Sequence, residues 1–320
     1  MLVLAVVAAL CAGSSANAVA QSYPDRPVRI VVPAAPGGPT DLPARLASQI
    51  LPPRLGQPVV VENRPGAAGA IGARAVASAP PDGYLLLAGN TSVFAVLPSV
   101  SASAGYDPME SFAPVAKVSE SYQILVVHPS SPWTSVKAFV DEARANPGKI
   151  NYAHTGPGGL PHLTAELFRA RTGVDIVGVA YKSGGEAVTG VLGRQVDATF
   201  ESITILLPLI RDGKLRALAI TSAKRTNLAP DLPTMMEAGV PDYEVITFNG
   251  IVAPAGTPPA IVGKLNGALN EGLGTPEMRA TIAGLGAVSP LGTPQEFAAF
   301  IAAQNEKWRA VARAANIKVD

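Results

Sequence analysis

Thiols, histidines, aromatic rings and net charge are all scarce in this chain. One cysteine, Cys11, and three histidines, His128, His154 and His162, occur among 320 residues. A single thiol excludes a disulfide framework and a cysteine-based metal site. The histidines lack metal-ligand spacing, so neither a metal nor a cofactor is expected. Charged residues make up only 15% and cancel to +1, and no basic stripe supplies the footprint that nucleic acid requires. Beyond the N-terminus there is no apolar run of the ~18 residues that a helical membrane span needs. Catalytic signatures are missing too, with neither a G-x-S-x-G elbow nor a Walker A loop. The stretch Thr155–Pro161 approaches G-x-G-x-x-G but carries Pro161 where the last glycine belongs. Asp175 precedes its strand, whereas a ribose-binding acid sits at the far end of one. No catalytic residue is assigned.

What is abundant is apolar material, 48% of the chain, punctuated by 31 glycines and 30 prolines. The length suits two domains. The first twenty residues carry no charge; Leu2 to Leu10 is apolar, and the triplets Ala16-Asn17-Ala18 and Ala18-Val19-Ala20 follow. Residues 1–20 resemble a signal peptide cleaved after Ala20, although its basic n-region is missing. Export to the periplasm is expected, and Cys11 would leave with the peptide. A lipid anchor on Cys11 is opposed by Leu10 just before it. A buried N-terminal strand is opposed by the polar break Gln21-Ser22-Tyr23-Pro24.

Thereafter strand, loop and helix alternate. Strands are expected at Val28 to Val32, Val59 to Glu62, Tyr84 to Ala88, Ile124 to Val127, Ile150 to Ala153, Ile176 to Ala180, Val196 to Phe200, Leu215 to Ile220 and Ile246 to Ala253. Thr134 or Ser135 should cap the helix that ends at Asn146-Pro147-Gly148. Another helix should run from Leu160 to Thr172. Alternation implies α/β architecture with mostly parallel sheets and helices on both faces. Two such series suggest two lobes: 21–122 and 223–320 in lobe 1, and 123–222 in lobe 2. Ligands of such sheets bind beyond the carboxyl ends of the strands, and those ends carry nearly all the glycine-rich loops.

A loop entering a helix from a strand offers unpaired N–H groups at the positive end of the helix dipole, an anion site without arginine. Gly37-Gly38, Gly66 to Gly69, Gly89-Asn90 and Gly156 to Gly159 fit this description, with Thr40, Ala67 and Thr155 beside them. Asp41 reads as a helix cap with Arg45 one turn on, or as a ligand contact. Asn90 reads as an anion donor or a cap. His162 and Glu166 read as a surface or capping pair, with His162 alternatively a donor at the pocket mouth. Tyr181-Lys182 stands at a strand exit, where Lys182 offers a charge or is simply solvated. Glu201 would repel a second carboxylate unless it meets an ammonium or hydroxyl, which makes it a specificity candidate.

These stretches resemble the Bug (TctC-like) family of periplasmic solute-binding proteins, receptors of tripartite tricarboxylate transporters. The resemblance rests on Val31-Val32-Pro33 with Pro36 to Asp41, on Leu55-Gly56-Gln57 leading to Val61 to Gly66, and on Pro81 to Tyr84. It extends through Tyr106-Asp107-Pro108, His162 with Glu166-Leu167-Phe168, Gly193 to Asp197, Leu215 to Ala219 and Ala253 to Pro258. It implies a two-lobed type II periplasmic binding protein fold, a monomer that closes on a small carboxylate and serves membrane permease subunits. It also implies that Gly37, Gly38, Asn63, Gly66 and Ala67 hold one carboxylate, with Thr155 to Gly159 (including Gly156 and Gly158) opposite. Ala34-Ala35, Phe248 and Ser183-Gly184-Gly185 depart from the family pattern and leave the ligand class open. A ligand-sensing co-receptor for a membrane sensor kinase would use the same fold.

Overall fold

The computed structural model describes residues 23–318; the expected signal peptide lies outside the described residues. Nine strands appear among them: β1 (Val28–Val32), β2 (Val59–Asn63), β3 (Leu85–Asn90), β4 (Phe112–Val127), β5 (Asn151–His154), β6 (Val177–Ala180), β7 (Ala198–Ser202), β8 (Arg216–Ile220) and β9 (Ile246–Pro254). Their order is β2-β1-β3-β9-β4-β7-β5-β6, with β8 also on β4. The longer helices are α1 (Asp41–Ile50), α2 (Ala70–Ala77), α3 (Val136–Ala145), α4 (Leu160–Thr172), α5 (Gly184–Leu192), α6 (Ile203–Arg211), α7 (Pro259–Leu273), α8 (Pro276–Gly284) and α9 (Pro294–Ala314). None of the described helices is long and apolar enough to cross a membrane.

The local chemistry explains the elements. In β1, Val28, Ile30, Val31 and Val32 are fully buried, while Arg29 turns outward to Glu62 on the neighbouring strand. Ser135, not Thr134, caps α3 by accepting the Ala138 amide. Gly173 closes α4 at φ 69°, a left-handed residue that only glycine adopts cheaply.

The mixed α/β, two-lobed architecture is present, but the parallel character is confined to its flanks. β1 runs parallel with β2 and β3, and β5 with β6 and β7. In the centre, β9 is antiparallel to β3, and β4 is antiparallel to β7, β8 and β9. The cause is β4, 16 residues long where only Ile124 to Val127 reads as a strand. Pro114, Lys117, Ser119, Glu120 and Ser121 dilute its apolar pattern. Its register against β9 shifts twice, between Pro114 and Ala116 and between Lys117 and Ser119. This one strand runs through both halves of the sheet.

Each half has its own core. Around β1, β3 and β9 one apolar layer gathers Ile30, Ala47, Leu86 and Leu265, and the opposite layer gathers Val31, Leu87, Phe94 and Phe248. Around β5 and β7 the two layers hold Tyr152, Phe168 and Phe200 on one face and Ala153, Val188 and Leu206 on the other. The stretch 223–320, expected in lobe 1, also sends Tyr243, Val245, Trp308 and Val311 into the core of the second half. Thr204 at the start of α6 donates to the Leu285 carbonyl at 2.9 Å, a further tie between the halves.

Candidate functional site

The pairing registers put the loop-bearing edges of the two halves together. Tyr122 pairs with Ile246, and Asn249 pairs with Asn90, so the carboxyl ends of β1, β2 and β3 lie toward Tyr122. Gln123 pairs with Ser202, so the carboxyl ends of β5, β6 and β7 lie toward Gln123. Both edges therefore meet at the middle of β4.

On the first edge, Asp41 organises the loop after β1. It is fully buried and accepts from the Gly37 amide (2.8 Å), from Arg45 Nε (2.7 Å) and from Asn63 Nδ2 (2.8 Å); Asn63 also donates to the Ala34 carbonyl at 3.0 Å. The i,i+4 pairing with Arg45 is present, but Asp41 is the first residue of α1 and its carboxylate turns back to Gly37. Burial pushes its pKa up, and the bonds from Arg45, Gly37 and Asn63 bring it below the ordinary value. The Gly37 amide is therefore occupied and is not an anion donor. The Gly38 carbonyl receives the Asp41 and Leu42 amides. Gly89 and Asn90 are not a loop either, since both end β3. Asn90 accepts the Val93 amide as a cap and donates to Thr40 Oγ1 at 2.8 Å.

The loop after β2 is what remains open. Gly66, Ala67, Ala68 and Gly69 all have positive φ, at 128°, 46°, 53° and 100°. Ala68 and Gly69 form a type I′ turn in which the Ala70 amide bonds the Ala67 carbonyl. Two alanines held left-handed store about 1–2 kcal/mol each, strain that concentrates at ligand clamps. The Gly69 amide bonds the Gly66 carbonyl, while the Ala67 and Ala68 amides have no acceptor among the described residues. A pocket of about 350 Å³ opens here, lined by Pro33, Ala34, Thr40, Gly66, Asn90 and Ser92 among others. Thr40, Gly66 and Asn90, candidates from the sequence, line this pocket together with Ala68 and Ser92. No sequence signal marks a left-handed alanine.

On the second edge the glycine amides are again occupied. Gly156 N–H donates to His154 Nδ1 (3.1 Å), Gly158 N–H to His162 Nδ1 (3.2 Å), and Gly159 N–H to the Gly156 carbonyl (3.2 Å). Thr155 sits at the start of this turn, half-buried. The two imidazoles stack at 4.5 Å, and burial is the largest cause lowering the pKa of each. His162 and Glu166 are thus an inward pair, 3.9 Å apart, and not a surface one. Lys182 is exposed, its amide bonded to Glu186; the Tyr181 amide bonds the His154 carbonyl. Glu201 is buried, 7% exposed; Oε1 accepts the Ser202 amide at 2.8 Å and Oε2 has no partner. No group of three or more potential metal ligands occurs among the described residues.

The family model described as tripartite tricarboxylate transporter family receptor matches residues 44–317. The protein BugT of Bordetella pertussis is 39% identical over 309 residues, 96% of this chain and 95% of BugT. An R. palustris protein solved with adipate is 36% identical, with a TM-score of 0.78 over 92% of this chain and 99% of that one. MatC from Rhodopseudomonas palustris, solved with bound malate, is 33% identical, with a TM-score of 0.74 over 90% and 99%.

Proposed function

Because the chain belongs to the tripartite tricarboxylate transporter family of receptors, we propose that it is a periplasmic solute-binding protein that captures a small carboxylated organic solute for a transporter of that kind. It binds this solute and releases it unchanged. The observation that carries the reading is the strained turn Gly66–Gly69, with two unpaired amides beside a pocket that also offers the Thr40 and Ser92 hydroxyls. One carboxylate of the solute accepts from Ala67, Ala68 and these hydroxyls, and backbone dipoles neutralise it where no arginine lines the pocket. Gly37, Gly38, Asp41 and Asn63 shape this cradle, and Thr155, Gly156, Gly158, Gly159 and His162 form the opposing wall, with Tyr181, Lys182 and Glu201 beside it. Adipate and malate in the related structures support a carboxylate as the guest.

In this reading, residues 21–122 with 223–320 and residues 123–222 form two lobes of a monomer. They close on the solute and present the closed form to membrane permease subunits. The signal peptide 1–20 delivers the chain to the periplasm. The test is thermal melting with a library of organic acids. A solute at a hundred times its Kd stabilises by about 2.7 kcal/mol, or several degrees for a chain of this size. Unchanged melting with every acid would remove the reading, as would turnover of any acid that binds.

A further inference from the structure

Asp41 and Glu201 are the two buried carboxylates among the described residues, and they are treated oppositely. Asp41 takes three donors, including a guanidinium, and is satisfied. Glu201 takes one amide, from Ser202, and its other oxygen is sealed from solvent with no donor. No cation pairs with it among the described residues. Lys182 and Glu186, at the start of the adjacent helix α5, are both exposed to solvent. Gly184 opens α5 directly against the free oxygen, where a Cβ would stand 2.5 Å from Oε2. A buried acceptor left open in this way is costly unless something completes it, by roughly 10- to 100-fold in an equilibrium constant. Glu201 is next to last in β7, whose carboxyl end lies on the edge that meets the carboxyl ends of β1, β2 and β3 at Tyr122 and Gln123 of β4.

Resting on the proposed carboxylate receptor, we propose that Glu201 is the specificity determinant of lobe 2: its free Oε2 accepts a hydrogen bond from an ammonium or hydroxyl carried by the bound acid. The protein then prefers donor-bearing acids to plain acids of the same skeleton. A plain acid leaves Oε2 unpaired, and a second carboxylate near it is repelled. The ionised form is the working one, supported by the Ser202 amide and by the first-turn amides of α5. Burial, the largest influence on Glu201, raises its pKa, so protonation competes with the guest at lower pH.

The experiment uses matched acids of three to six carbons that differ only in bearing hydrogen, hydroxyl or ammonium beside the carboxylate; succinate, malate and aspartate are the four-carbon set. Binding is measured by calorimetry from pH 5 to 8. Within at least one set the donor-bearing members should bind about 10- to 100-fold tighter than the plain acid, and their affinity should rise with pH. In Glu201→Gln, which keeps the shape but turns the free acceptor into a donor, the preference and its pH dependence should vanish while plain-acid binding persists. Gly184→Ala keeps the acid but its Cβ, 2.5 Å from Oε2, displaces the carboxylate, and should lose the same preference. Equal binding within every set overturns this inference and leaves the receptor reading standing. So does a preference retained by both variants, or affinity that falls with rising pH, the mark of a protonated Glu201 donating to a second carboxylate. Binding of none of the acids overturns both.

Discussion

Replacing Asp41 with alanine tests whether the lobe 1 cradle is held by one buried anion. The substitution strands three donors, from Gly37, Arg45 and Asn63. Charge-assisted bonds of this kind contribute about 1.5–3 kcal/mol each, but the three do not add. Arg45 is 49% exposed and rehydrates, so its share is small. Gly37 is exposed and also finds water. Asn63 keeps its bond to the Ala34 carbonyl. The surviving loss is about 3 kcal/mol, which at about 2–4 °C per kcal/mol lowers the melting temperature by ~6–12 °C. Asp41→Asn retains shape and one acceptor and should lose about half as much. The carboxyl lies below its ordinary 3.8, since its donors outweigh the opposing effect of burial. Its contribution is therefore complete above pH 3.8 and disappears as pH falls through the lower folded value; Asp41→Asn should flatten that part of the acid limb. Calorimetry and urea titration from pH 2.5 to 7 measure both effects. An alanine variant melting within 2 °C of the parent would falsify the single-anchor account.

Three further outcomes follow from the same contacts. His154 and His162 are neutral in the fold and sit below their ordinary 6.5, so the unfolded chain takes up protons first; stability should be full above pH 6.5 and decline as pH falls from there, and His162→Asn, which preserves an acceptor for Gly158, should lessen the slope in a melting series. Gly66→Val should both destabilise by more than 1 kcal/mol and abolish ligand-dependent melting, because a Cβ there meets Ile71 Cδ1 at 2.5 Å at a φ of 128°; retention of either property counts against the strained clamp. Gly250→Ala places a methyl 2.2 Å from the Phe297 ring and should lower stability by about 1–3 kcal/mol in urea titration, with the ligand response intact.

The sequence was most legible where one element buries itself by local pattern. Helix Leu160–Thr172 has the expected bounds because its ends are set by Gly159 and Gly173. β1 is likewise apolar except for Arg29 and is bounded by Pro27 and Pro33. The first part of β4 was illegible because its polar residues are accommodated by bulges and by pairing with β9, over a hundred residues away. The candidate site was half legible: glycine-rich exits marked the edge where the Gly66–Gly69 pocket opens. Which amides stay free depended on Asp41, His154 and His162 returning to occupy Gly37, Gly156 and Gly158, and no spacing rule encodes that competition. Glu201 stood out as an acid at a strand exit; its orphaned oxygen required the fold.

Since β4 belongs to both halves, neither can slide past the other without breaking a continuous ladder. The closure proposed above is then a rotation about the point where β4 passes from one half to the other, at Tyr122 and Gln123. A second crossing lies close by, where the Val245 amide bonds the Thr221 carbonyl at 2.8 Å. Helix α9 also spans both halves, with Phe297 in one core and Trp308 in the other, so under the proposed closure spectroscopic distances between labels on α1 and α5 should change along a single coordinate as solute is added.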